Sequence, residues 1–137
     1  MKVLKIDIPA LPPSVNHYYK RTRSGRVFLD NDAVVFLKIA QYIAKKQARA
    51  AKWEIVPSGK FFFLEVGFEF VNRKFPDPNN MLKLLIDALE GIVFENDKWL
   101  LPLVTSAKIT GKDRTIVNIE YGDGGVNPRD RLNLPSV

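Results

Sequence analysis

The run FFFLEVGFEFV, residues 61 to 71, constrains this chain more than any other stretch. Aromatic and β-branched side chains dominate it, and these suit a pleated, buried surface, so it predicts a long strand in the interior of a sheet. Gly67 has no side chain to pack and marks a place for a bulge. Other strands are readable nearby. KVLKIDI, residues 2–8, alternates apolar and polar side chains as a half-buried strand does, and two more strands are expected at about 103–109 and 114–121, joined by the turn TGKD.

Two helices complete the pattern. The first has Asp30, Asn31 or Asp32 as its cap and runs to about Lys52, with an apolar stripe of Phe36, Ile39, Ala40, Ile43 and Ala50. The second spans roughly Pro78 to Glu90, with a core stripe of Leu82, Leu85, Ile86 and Leu89, and Gly91 ends it. With 137 residues and 46 % hydrophobic composition, the chain can bury one sizeable core but not two. The expectation is a single small α/β (α+β) domain over residues 1–121, a mixed β-sheet packed with two main helices. Residues 122–137, GDGGVNPRDRLNLPSV, read as an irregular tail. No internal repeat or domain linker is visible.

Composition excludes several classes. Without cysteine there are no disulfides or thiolate metal sites, and the lone His17 cannot build a multi-histidine zinc site, so any metal is held mainly by oxygen. The apolar runs are broken by charge and fall short of the roughly 18 to 20 residues of a membrane span. MKVLKIDIPALPPS lacks a signal peptide's apolar region, and the expectation is a soluble, cytoplasmic protein.

Charge is distributed unevenly within a net +6: residues 1–60 carry +8 and residues 61–137 carry −2. A basic half beside a mildly acidic one suits a polyanion held by one part and a carboxylate-dependent task in the other, although a solvated basic surface has the same composition. Lys20, Arg21, Arg23 and Arg26 surround Ser24-Gly25 in a loop expected to be exposed and mobile. Lys38, Lys45, Arg49 and Lys52, with Lys46 adjacent, share one face of the first helix, either as an ordinary solvated face or as a phosphate-contacting stripe.

The acids around the second helix carry the chemistry. Asp77-Pro78 is an ordinary helix start, and Glu95-Asn96-Asp97 reads equally well as a polar turn. The chain after Gly91 is long enough to fold back. Were Asp97 to return beside Asp77, the two would form a cluster of oxygen ligands suited to magnesium, which takes one or two protein carboxylates and completes its octahedron with water and phosphate.

Three motifs in order resemble the RusA family of Holliday-junction resolvases: LPPSVNHYYKR, DPNNMLKLLIDAL and FENDKWL. The family's Pro-Pro-Ser-x-Asn-x-x-Tyr signature falls on Pro12, Pro13, Ser14, Asn16 and Tyr19. Its Asp-x-Asp-Asn-x-x-Lys run and the following Asp-Ala-Leu fall on residues 77–83 and on Asp87, Ala88 and Leu89. The resemblance covers about residues 5–121 and implies magnesium-dependent cleavage of four-way DNA junctions by a homodimer, with Mn²⁺ a substitute for Mg²⁺. It places metal ligands at Asp77 and Asp97 and the functional lysine at Lys83. Asn79 stands where the family usually has its second aspartate. An amide oxygen still coordinates a hard cation, but one negative charge and one proton acceptor are gone. Three accounts stay open: Asn79 suffices as a neutral ligand, Glu95 or Asp87 substitutes, or activity is lost and the chain is a binder of branched DNA.

Asn80 fixes loop or ligand geometry; Lys83 and Asp87 stand four residues apart, which makes them either a plain ion pair or a catalytic lysine oriented by Asp87. Asn16, Tyr18, Tyr19, Lys20, Arg21 and Arg23 form a DNA-contacting segment, with Arg73 and Lys74 set to contact the scissile strand; the two tyrosines read equally as core. Two symmetric incisions ask for a C2 dimer, through strand 61–71 or helix 31–52.

Overall fold

The computed structural model describes residues 2–16 and 19–122. His17, Tyr18 and the tail from residue 123 lie outside the described residues, as do the readings made of them. In chain order the elements are β1 (Lys2–Ile8), β2 (Tyr19–Arg21), β3 (Val27–Leu29), α1 (Asn31–Ala50), β4 (Phe62–Phe70), a 3₁₀ turn (Pro78–Met81), α2 (Leu82–Leu89), a second 3₁₀ turn (Asp97–Trp99), β5 (Leu100–Ile109) and β6 (Arg114–Tyr121). The main sheet has the order β1-β6-β4-β5, and β2 pairs with β3 in a separate two-stranded ribbon. This is the α+β architecture expected, a mixed sheet with two helices.

Strand β4 is interior, as its composition demands. It pairs antiparallel with β6 on one edge and parallel with β5 on the other. Phe62, Leu64, Val66, Phe68 and Phe70 are fully buried and join Leu4, Ile6, Ile8, Val117 and Ile119 on the face that the helices cover. The opposite face is mixed, with buried Phe63 and exposed Val3 beside charged groups. There Arg114 reaches across β6, its Nε donating to Asp7 Oδ1 at 2.8 Å and its Nη1 to Glu69 Oε2 at 2.9 Å, with a further contact from Nη2 to Asp7. That guanidinium holds the Asp7 carboxyl below its ordinary range, hydrogen bonding outweighing the opposing effect of burial.

The bulge expected at Gly67 is present. The β4–β5 register shifts between Val66 and Gly67, leaving Thr105 as the extra residue on β5. A Cβ at Gly67 would lie 2.7 Å from Ser106 Oγ, so glycine permits this close approach.

Strands β5 and β6 follow one another through TGKD but do not pair, because β4 lies between them. Strand β5 also starts at Leu100, three residues before the expected boundary. A parallel β4–β5 pair needs a crossover, and α2 with its flanking turns supplies it.

Both helices differ from expectation in the faces they bury. On α1 the buried line is Ala33, Phe36, Ala40, Ala44 and Ala48, while Ile39 and Ile43 flank it half-buried. Small alanines let the helix approach the sheet closely. Ala50 is exposed, and the helix ends there with Lys52 at φ 53°. The segment after Asp77 opens as a 3₁₀ turn, and α2 proper buries Leu84, Leu85, Ala88 and Leu89, leaving Leu82 and Ile86 half-buried. Only Lys83 and Asp87 are polar in LKLLIDAL, so apolar periodicity could not select the inner face.

Candidate functional site

After β4 the chain turns back sharply. Lys74 N donates to Asn72 Oδ1 at 2.8 Å, and the Phe75 ring stacks on Phe70 with centroids 4.3 Å apart, anchoring the turn to the end of the strand. Arg73 and Lys74 stay exposed on it. Asp77 then caps the 3₁₀ turn: its Oδ1 accepts from Asn79 N at 3.0 Å, and its carbonyl accepts from Asn80 N at 3.0 Å. Pro78 occupies the first helical position, where no amide hydrogen is needed.

The proline-rich first motif joins this turn. Val15 N donates to Asn80 O at 2.7 Å, so LPPSV and DPNN, 65 residues apart, share a backbone hydrogen bond. Ser14 is buried, and its Oγ accepts from Asn16 N at 3.3 Å. Asn16 is exposed.

In the first turn of α2 Lys83 is exposed, and its Nζ lies 3.2 Å from Asp87 Oδ1. This is the pairing expected from their spacing. Beyond α2, Gly91 takes φ 84° and its N–H donates to Phe94 O at 2.8 Å, while buried Val93 and Phe94 anchor the loop in the core. Glu95 is engaged elsewhere, its Oε2 accepting from Ser58 N at 3.0 Å. Asn96 caps the second 3₁₀ turn through Lys98 N at 2.9 Å. Asp97 is held by its backbone, its N–H donating to Glu90 Oε2 at 3.0 Å. Sequence reasoning took Glu90 only as a helix end; its carboxylate fixes the turn that presents Asp97.

Asp77 and Asp97 thus occupy the turns that flank α2, each anchored through the backbone and each exposed. Asp7, Asp30, Glu54, Glu69 and Asp87 all form ion pairs with Lys or Arg, whereas no ion pair to Asp77 or Asp97 is present among the described residues. No group of three or more His, Asp or Glu able to hold a metal is formed among the described residues. Two carboxylates and an amide are oxygen donors of the type a hard cation takes with water and phosphate in its remaining positions, and they are too few for an all-protein cage.

The basic segment near the start forms a two-stranded hairpin. Tyr19 pairs with Leu29, Lys20 with Phe28 and Arg21 with Val27. Tyr19 is exposed and not a core residue. On α1, Tyr42 with Lys45, Lys46 and Arg49 lines an open depression of about 500 Å³, so that face combines cations with an exposed aromatic ring.

The model of the endodeoxyribonuclease RusA family matches residues 9–120. The chain belongs to that family, a class of nucleases that act on branched DNA and resolve Holliday junctions, generally with a divalent metal. No curated protein matches the chain. No helix among the described residues is long and apolar enough to cross a membrane.

Proposed function

We propose that this chain is a cytoplasmic, Mg²⁺-dependent endonuclease that resolves four-way DNA junctions by paired symmetric incisions, acting as a C2 homodimer. What carries the reading is the family match over residues 9–120 together with the placement of two acids: Asp77 and Asp97 are both exposed on the turns that flank α2, and neither forms an ion pair among the described residues. Asp77 and Asp97 are the ligands, Asn79 adds a neutral oxygen, and Mn²⁺ substitutes for Mg²⁺. A divalent ion bound there supplies Lewis acidity at the scissile phosphate and acidifies a water.

The remaining work belongs to side chains. Asp77 commits Oδ1 to the Asn79 N–H, which fixes the carboxylate and leaves Oδ2 for a ligand. Lys83, oriented by Asp87, donates to the phosphate as negative charge develops during in-line displacement. Asn80 ties the ligand turn to the first motif through Val15. Arg73 and Lys74, immediately before Asp77, take phosphates of the scissile strand, and Asn16, Tyr19, Lys20, Arg21 and Arg23 contact a neighbouring DNA arm. Strand β4 is paired on both edges, which favours α1 over that strand as the source of a dimer contact.

Asn79 favours one second reading, a catalytically weakened binder of branched DNA. A synthetic four-way junction separates the two. The proposal expects paired nicks with Mg²⁺ or Mn²⁺ and a gel shift in EDTA, whereas a gel shift with no nicks in either metal supports the binder.

A further inference from the structure

Residues 19–28 are exposed at ten consecutive positions, yet they form a built hairpin. At its tip Thr22 N donates to Arg26 O at 2.8 Å, Gly25 N to Thr22 O at 3.0 Å and Arg26 N to Thr22 Oγ1 at 3.1 Å, with Thr22 Oγ1 and Ser24 Oγ 2.9 Å apart. Gly25 takes φ 87°, the conformation such a turn requires. At its root Lys20 Nζ lies 2.8 Å from Asp30 Oδ1, and Leu29 packs against the core. A two-stranded ribbon is at best marginally stable alone, so these contacts at both ends explain why this one has a shape.

Its chemistry is one-sided. Lys20, Arg21, Arg23 and Arg26 lie within seven residues, no acid occurs between Asp7 and Asp30, and only Lys20 of the four forms an ion pair among the described residues. Phe28 and Val27 are also exposed, at 44 % and 51 %. The root is only four residues beyond Val15, which is bonded to Asn80, so the ribbon starts within roughly 20 Å of the turn that carries Asp77.

We infer that this hairpin is a preformed ribbon that enters the major groove of a duplex arm beside the incision point, with Arg21, Arg23 and Arg26 on the phosphates lining that groove. This rests on the junction-cleaving reading above for its substrate. The major groove of B-DNA, about 12 Å wide, admits a two-stranded β-ribbon as it stands, whereas the roughly 6 Å minor groove takes one only where the duplex is bent and the groove widened. Three arginines with no ion pair among the described residues are matched by a polyanion, and a tip held by its own hydrogen bonds lowers the entropic cost of docking. Arg26, which the family-based assignment omits, is thereby placed among the DNA-contacting residues.

The test uses the full chain in EDTA, where binding is read without cleavage. Three lost phosphate contacts predict that the triple variant R21A/R23A/R26A lowers the slope of log affinity against log salt by about 2 to 3, while R21K/R23K/R26K keeps it. An unchanged thermal midpoint confirms that each variant is folded. The chain has no cysteine, so Ser24→Cys provides one thiol at the tip. It is expected to cross-link, by thiol–disulfide exchange that releases the capping thiol, to a tether carrying a mixed disulfide on cytosine N4 in the major groove and not to one on guanine N2 in the minor groove. An unchanged salt slope in the alanine variant, or cross-linking to the minor-groove tether alone, overturns the inference. Wild-type cleavage beside either result leaves the nuclease reading standing, whereas the expected slope and cross-link without cleavage in any metal sink that reading and leave the ribbon.

Discussion

Replacing Asp77 separates its capping bond from its proposed metal role, because the cap uses Oδ1 and no hydrogen bond to Oδ2 is present among the described residues. Asp77→Ala removes the acceptor for the Asn79 N–H and any charge available to a metal. Loss of such a cap costs about 1 kcal/mol, which for a domain of this size lowers the melting temperature by about 4 °C. Asp77→Asn keeps an oxygen in the same place, and asparagine caps as well as aspartate, so its stability should stay within about 0.5 kcal/mol of wild type. Cleavage behaves differently. Both variants lose the anionic ligand, and since disturbing even the groups behind metal ligands costs about 10- to 100-fold, cleavage should fall by on the order of 100-fold or more in each. Urea titration and single-turnover cleavage of a four-way junction measure the two effects independently. Wild-type cleavage by Asp77→Asn would show that Asp77 is only a cap. Equal destabilisation of both variants would show that the Oδ1 bond to Asn79 contributes nothing.

Asn79→Asp restores a carboxylate next to Asp77 and is expected to tighten Mg²⁺ binding and increase junction cleavage; if neither the metal titration nor the cleavage rate changes, residue 79 lies outside the ligand set. Lys83→Met should abolish most cleavage while changing stability by less than about 0.5 kcal/mol, since the exposed pair with Asp87 is a weak one; retained cleavage would reduce Lys83 to that pair. Asp7 has a folded-state pKa depressed chiefly by its hydrogen bond to Arg114. Its contribution to stability is therefore complete above the unfolded value near pH 4 and is lost as pH falls through the lower folded value. The stability gap between wild type and Asp7→Asn, followed by urea unfolding, should narrow below about pH 4, and a gap that widens there refutes the pairing.

Sequence pattern disclosed the elements whose side chains repeat over many residues. Strand β4 is legible because nine residues in a row are apolar or pair across a sheet, and β1 because its alternation is clean. The β2–β3 pairing is not legible in the sequence, since three-residue strands are too short for any periodicity and the pairing is supported by a turn and one ion pair. Strand β5 hid its start because Leu100, Leu101 and Pro102 show no alternation. At the site, the identities of Asp77, Lys83 and Asp97 were readable from motif order, and the Lys83–Asp87 pair from helical spacing. The bonds from Val15 to Asn80 and from Glu90 to Asp97 were not, because backbone contacts between distant turns leave no mark on side-chain pattern.

The position of β6 has a consequence for how the molecule is made. It alone bridges β1 to β4, and its pairing sets Lys2 against Tyr121. During synthesis the first strand must wait, unpaired, while more than a hundred residues leave the ribosome, and the sheet closes only when residues 114–121 emerge and slot between two strands already present. A nascent chain halted before that segment holds the turns bearing Asp77 and Asp97 on an unfinished scaffold, so competence to act on nucleic acid should arrive late and all at once.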